Sequence, residues 1–340
     1  MARAAVRRGP AGLGARATWR AYPDRRKGGR MGVSQAAERR GGVAVRERWQ
    51  VLRGRDATQA YIMLAPVTIL LVVLVAYPFV LSLWLSLTNK TIGTDGQFVG
   101  LANFTNQLDS AIFKLAFRNT VWYTFVTTII KLFLGFALAL LLNQEFIGRK
   151  FVRAAILLPW IVPSVLSTMA WLWLFDANLS SLNWLLSHLH LISKDLPWLT
   201  DPNWAMGSIM IVNVWRGTPF LAITILAGLQ TIPKELYEAA SIDGAGRWVR
   251  LRKITIPLVL PVLTIVLIVS IIGTFSDIQI VYALTGGGPT NSTQVLATLS
   301  YSTGLKSGFL GQGAAISLYM LPVMLLMVVL QVWNVRRLAK

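Results

Sequence analysis

The chain has 340 residues, of which 54% are hydrophobic and only 14% charged. A soluble domain carries about a quarter charged residues, so this composition excludes an ordinary soluble fold and points to a bilayer as solvent. The formal net charge of +19 comes with no nucleic-acid-binding motif, and the absence of cysteine excludes disulfides, thiolate metal sites and thiol catalysis.

Fifteen of the 33 Lys and Arg residues lie in residues 1–60, before any apolar run. Residues 1–57 are rich in Arg, Gly and Ala and lack apolar periodicity. They are expected to form a basic, largely disordered cytoplasmic tail. The codons for Lys27-Gly28-Gly29 can spell a purine-rich ribosome-binding sequence, so translation is expected to start at Met31, leaving residues 1–30 untranslated. The first apolar run starts near Tyr61, too late and too long for a cleaved leader.

Six apolar segments follow, at about 61–87, 119–143, 155–175, 204–230, 258–284 and 310–333. Each is near the roughly 20 residues that a helix needs to cross the hydrocarbon core. The runs are continuous and not alternating, which indicates helices rather than barrel strands. Residues 58–335 are therefore read as one membrane domain, followed by a short tail at 336–340. Pro159 and Pro163 interrupt the third segment. The stretch Arg153–Pro163 resembles Arg252–Pro261, each entering an apolar run with two prolines four residues apart.

Charge sets the orientation. With the N-terminus inside, 26 Lys and Arg fall in cytoplasmic segments and five, Lys90, Lys114, Arg118, Lys194 and Lys306, in outer loops. An excess of cations marks the inner face, so both termini are expected in the cytoplasm.

Three ionisable residues fall within or near the spans: Lys131, Arg216 and Asp277. Such groups are costly in lipid and face a cavity or a partner. Arg216 and Asp277 are candidates either for a solute pathway or for a structural ion pair with each other. Lys131 has no partner visible in sequence and is expected to face a second subunit. Trp215 and Tyr282, with Trp171 and Trp173, can stack on sugar rings or anchor the chain at the membrane interface. His188 and His190 have no neighbouring ligand set, so no metal site is expected. No catalytic constellation is visible, and no Gly-x-x-x-x-Gly-Lys-Ser/Thr loop occurs, so this chain is expected to bind no ATP.

The segment between the fourth and fifth runs, 231–257, is polar and carries five cations. Pro233 suits a helix start. Lys234 to Asp243 suits a short helix, and Gly244 suits its left-handed termination. Arg247 to Ile256 then leads into the fifth run. Within this stretch stand Glu238-Ala239-Ala240, Asp243-Gly244-Ala245, Pro257 and Pro261, eight positions over 24 residues.

That pattern resembles the EAA loop of binding-protein-dependent ABC importer permeases. Leu251 stands where the pattern often has an aromatic residue. Phe98-Val-Gly-Leu-Ala-Asn103-Phe104, Trp215-Arg216-Gly217-Thr218-Pro219-Phe220 and Thr285-Gly286-Gly287-Gly288-Pro289 resemble the carbohydrate, maltose-type branch. The resemblance covers about residues 58–335. The outer loops, each about 25–31 residues, lack the large insert of the enterobacterial maltose permease.

The resemblance implies an all-α integral membrane protein with six transmembrane helices, of the ABC type I importer permease kind, in a bacterial plasma membrane. It implies that Glu238 and Gly244 anchor a coupling helix and its turn, while Ala239, Ala240 and Ala245 let a partner approach closely. The implied partners are two ATPase subunits, a second homologous permease, an external solute-binding protein, membrane lipid and a sugar. ATP would be used by the ATPase, with no cofactor on this chain. Thr285–Pro289 would offer flexible backbone to the binding protein, or be simply a turn after a helix. Alternative substrates are glycerol-3-phosphate or another small polar solute. Outside the family, an ion-coupled secondary transporter is the rival reading.

Overall fold

The computed structural model describes residues 55–338. The expected disorder of residues 1–54 and the expected start at Met31 lie outside the described residues. Among the described residues the structure is helix and loop, with one isolated antiparallel bridge between Thr88 and Phe98. Five helices among the described residues are long and apolar enough to cross a membrane, and a bent pair can supply a sixth crossing.

The chain forms two units that divide after Leu71. The first contains helix α1 (Arg55–Leu71). Its apolar side chains, among them Ile62, Met63, Val67 and Leu70, are more than half exposed. A helix with exposed apolar side chains all round belongs in lipid or against another membrane helix.

The second unit begins with a π-helical turn (Val72–Ala76) and α2 (Tyr77–Ser86). A short α3 (Ala102–Asp109) precedes the long α4 (Ala111–Leu142). Helix α9 (Pro202–Leu229) is the central neighbour of α4. Pro202 fits its first turn, and the Asp201 carboxylate accepts the Asn203 N–H at 2.7 Å. Gly135 permits the α4–α9 contact, since a Cβ there would stand 2.9 Å from Leu221 Cβ. Small residues serve this role wherever membrane helices pack closely. Leu221, Ile225, Val259 and Leu263 join Ala139 in a buried cluster between α4, α9 and the later α12 (Ile256–Phe275). The last helix, α15 (Leu310–Leu338), packs on α2 and α12. The residues expected as a tail from 336 thus continue its helix as far as Leu338.

The third apolar segment does not form one straight crossing. It is divided into α5 (Arg149–Ile156), α6 (Leu158–Ile161) and α7 (Ser164–Leu174), with an 89° bend before α7. Val162 is extended, at φ −62° and ψ 133°, as steric clash with Pro163 requires of the preceding residue. The similar proline pair at 257 and 261 behaves differently. Pro257 occupies the first turn of α12, after a π-helical turn (Leu251–Thr255), and Pro261 sits inside the helix without breaking it.

One end of the bundle carries loops 143–148 and 230–246. Arg153 Nη2 donates to Leu142 O at 2.7 Å, and Lys234 meets Glu145 at 3.7 Å. The opposite end carries the long loops. Asn103 is buried there and donates to Ser86 O and Thr88 O at 2.8 and 2.7 Å, so it caps the carbonyls at the end of α2. That gives its motif a structural task. The run Thr285–Pro289 follows α13 (Gln279–Thr285) as a hydrogen-bonded turn, Gly288 N donating to Thr285 O at 3.0 Å. Thr293 is fully buried and donates to Gly288 O at 2.6 Å. Asn119 of α4 holds Ser292 O and Gln294 O at 2.9 and 3.0 Å.

Candidate functional site

Two sites emerge. The first is the loop between α9 and α12. Helix α10 runs Lys234–Ile242, with Pro233 at its N-cap. Its C-terminus closes in a doubly hydrogen-bonded turn. Ala245 N donates to Ala240 O at 2.8 Å and Gly244 N to Ser241 O at 3.1 Å. This is the Schellman pairing, and it requires the left-handed conformation that Gly244 adopts at φ +76°. Nothing lies within 4 Å of a Cβ built on Gly244, so backbone torsion alone demands glycine there.

The loop is stiffened from behind. Tyr237 Oη and Thr255 Oγ1 lie 3.0 Å apart, and Arg250 Nη1 donates to Ser241 Oγ at 2.8 Å. Arg250 closes α11 (Arg247–Arg250). Glu238, Ala239, Asp243 and Gly244 are exposed, whereas Ala240 and Ala245 are half-buried. Ile242 and Trp248 are bare at 87% and 81%. A short helix with small residues, a carboxylate and unpaired apolar side chains on its free face can dock into a groove of another protein. Pro257 lies behind it, at the entry to α12.

The second site is polar and lies in mid-bundle. Lys131 is only 3% exposed. Its ammonium donates to Asn213 Oδ1 at 2.9 Å and to Thr274 Oγ1 at 2.7 Å. This corrects the expectation that Lys131 faces a second subunit: it is consumed within this chain. Asn213 Nδ2 donates in turn to Asp277 Oδ2 at 3.2 Å, and Tyr123 Oη donates to the same oxygen at 3.0 Å. The Asn213 amide thus stands between a cation and an anion, offering the correct end to each. Asp277 falls in the break between α12 and α13 (Gln279–Thr285), where its Oδ1 accepts the Ile280 N–H at 3.2 Å. Gly217 makes room for the lysine stem, since a Cβ there would stand 2.7 Å from Lys131 Cδ.

This network borders a cavity of about 400 Å³, lined also by Trp160, Arg216, Ser270, Ser276 and Gln279. Ser164 hydrogen-bonds Gln279 of the lining, and Trp160 stacks on Phe220 at 5.3 Å. Arg216 and Asp277 share this cavity, but among the described residues they form no ion pair, and Arg216 Nε is buried without a partner. The structural pairing weighed from sequence is therefore not made. Sequence reasoning missed Tyr123, Asn213 and Thr274.

The aromatic candidates separate. Trp215 of α9 meets Trp171 edge-on at 5.5 Å, and Trp173 is 81% exposed. Tyr282 packs against Tyr301 at 5.0 Å and under the Lys306 ammonium at 4.9 Å, so its ring is engaged within the chain. His188, at the end of α8 (Ser181–His188), packs against the Trp184 ring, tilted by 34° with centroids 4.1 Å apart.

Comparison with known proteins places these features in a lineage. The trehalose/maltose transport system permease protein MalF of Thermococcus litoralis is 36% identical over 289 residues, covering 84% of this chain and 97% of that protein. The sulfoquinovosyl glycerol transport system permease protein SmoG of Agrobacterium fabrum is 36% identical, covering 78% and 86%. The trehalose transport system permease protein SugA of Mycobacterium tuberculosis is 33% identical, covering 76% and 82%. In fold, the chain is similar to a solved bacterial ABC transporter involved in the import of the acidic polysaccharide alginate. The TM-score is 0.75 at 23% identity, with 86% of this chain and all of that chain covered. Residues 131–340 match the family described as binding-protein-dependent transport system inner membrane component. On that match and these relatives, the chain belongs to the family of binding-protein-dependent transport system inner membrane components, the permease subunits of ABC importers.

Proposed function

We propose that this chain carries a sugar across the membrane, driven by a separate ATPase that docks on the loop Glu238–Pro257. The observation that carries the reading is the geometry of α10 and its turn. The helix ends in a rigid Gly244 turn, presents Glu238 outward, and leads through α11 straight into α12, which carries Thr274 to the cavity. Motion imposed on α10 therefore passes, beyond the break at Gly244–Gly246, along one long helix to the polar network. ATP acts by binding two permease states with different affinity, one open outward and one inward.

The assembly is two permeases, two ATPase subunits and one external binding protein, and ATP is bound by the ATPase alone. The second permease is a related chain, and the exposed apolar face of α1 suits either it or lipid. The loop and both termini face the cytoplasm, in keeping with the excess of cations in those segments. A sugar substrate is supported by the trehalose, maltose and sulfoquinovosyl glycerol named for relatives. The cavity chemistry agrees. Arg216, Asp277, Ser276 and Gln279 can exchange hydrogen bonds with hydroxyls, and Trp160 can offer a flat apolar face. Trp215 and Tyr282 lie outside the cavity lining, and we assign them to packing nearby.

The test is uptake of labelled trehalose or maltose into proteoliposomes holding the whole transporter. Uptake that needs internal ATP and the binding protein is the expected result. Uptake driven by an ion gradient without ATP would refute the proposal.

A further inference from the structure

The end of the bundle that carries α10 holds a second chemical feature. Gly148, at φ +80°, turns the chain sharply from the loop after α4 into α5. The eight residues of α5 are segregated. Val152 and Ile156 pack on the buried cluster between α4 and α9. Arg149, Lys150 and Arg153 bring cations, while Phe151 is 78% exposed and Ile147, just before the helix, is wholly bare. Bare apolar side chains beside cations are the mark of a segment lying in a membrane interface.

Arg149, Arg153 and Lys234 line one polar pocket of about 340 Å³. A single carboxylate opposes them. Glu145 meets Lys234 at 3.7 Å, and both side chains are more than four-fifths exposed, so this pair is weak and leaves the pocket cationic. Arg153 is the hinge of the site. Besides its bond to Leu142 O, its guanidinium reaches Gln230 at 3.2 and 3.3 Å once that amide is turned oxygen-inward, yet its Nε is buried with no partner. On its other side Arg153 borders an apolar groove of about 270 Å³ with Ala154, Leu157, Ile223, Leu226 and Ala227. Arg153 and Gln230 belong to both walls, so the cationic pocket and the apolar groove adjoin.

We propose that this junction binds one anionic phospholipid, with its phosphate diester among Arg149, Arg153 and Lys234 and an acyl chain along the groove between α5 and α9. A free phosphate ion satisfies the cations and leaves the groove empty. A neutral lipid fills the groove and leaves the cations unpaired. Only a ligand with both parts matches both halves, and basic pockets at the ends of spans recognise such headgroups. Lys234 opens α10, and Tyr237 of α10 also lines the pocket. A bound headgroup thus ties the base of the coupling helix to the α4–α5 turn and makes lipid a regulator of coupling. The binding itself needs only a membrane setting; the regulatory consequence rests on the proposed role of α10.

The test uses the full chain in detergent, offered equal phosphatidylglycerol and phosphatidylcholine, with retained lipid read by native mass spectrometry. One phosphatidylglycerol is retained in preference. Replacing the exposed pair together, Arg149→Gln with Lys234→Gln, lowers retention about tenfold, as loss of two charge-assisted contacts implies. Ala227→Trp, at an exposed position, fills the groove and lowers it similarly. Equal retention of the two lipids, or no change in either variant, overturns the proposal. Displacement by inorganic phosphate together with a silent Ala227→Trp assigns a free-anion site instead and also overturns it. In the assembled transporter, phosphatidylglycerol raises coupled ATPase activity over phosphatidylcholine, and the charge-pair variant loses the increase. Lipid binding without that difference overturns the regulatory half, while the Gly244 variants described below test the coupling helix independently.

Discussion

Gly244→Val leaves a chain that inserts and unfolds like the native protein but cannot couple ATP hydrolysis to uptake. Position 244 has φ +76° and empty space around it, so valine meets no steric neighbour. What it loses is the left-handed conformation. A β-branched residue pays about 1–2 kcal/mol or more there, which shifts the turn away from its native form by roughly five- to thirtyfold. The shift breaks the bonds from Ala245 N and Gly244 N that close α10 and frays the helix that carries Glu238. Gly244→Asn tolerates the same torsion better and retains much of the activity. Glu238→Ala acts on the partner side: the residue is exposed, so stability is unchanged while stimulated ATPase activity falls. Native uptake and native ATPase stimulation in both Gly244→Val and Glu238→Ala would refute the docking role.

The second large effect is at Lys131. Lys131→Met removes the donor to Asn213 Oδ1 and Thr274 Oγ1 and leaves the Asp277 carboxylate in the bundle without its lysine counter-charge. Breaking a buried charge network on one side costs about 3–5 kcal/mol. A lowered unfolding midpoint and lost uptake are expected together. Adding Asp277→Asn to Lys131→Met removes the orphaned charge and recovers most of the stability, because coupled residues are not additive. Uptake stays low, since the cavity wall has changed. If the double variant unfolds as early as the sum of the single losses, the two groups are not coupled and the network is misread.

The loop between α9 and α12 was legible in the sequence because its determinants are local. A proline before the helix, a glycine ten residues after Lys234 and the Pro257 entry to α12 each act within one turn of chain. The apolar runs were legible because a bilayer needs continuous length. The third run was less so: Pro163 announced a break, but nothing local distinguishes it from Pro261, which a helix absorbs. The polar network was not legible. Tyr123, Lys131, Asn213, Thr274 and Asp277 come from three distant segments, and only the packing of α4, α9 and α12 brings them together. Thr274 and Asn213 look ordinary in isolation, and Lys131 had no visible partner because its partners stand 82 and 143 residues away. Asn103 carries the same lesson. Its motif was read as a family mark, whereas its side chain caps α2.

The chain has no cysteine, so a single Ala239→Cys gives a unique thiol on the exposed face of α10. Labelled with a short photoactivatable cross-linker in the assembled transporter, it should join the ATPase subunit, with a yield that changes when ATP is added. It should also react with a membrane-impermeant maleimide only in inside-out vesicles. A thiol that reacts from outside, or that cross-links lipid or the binding protein and never the ATPase, contradicts the account.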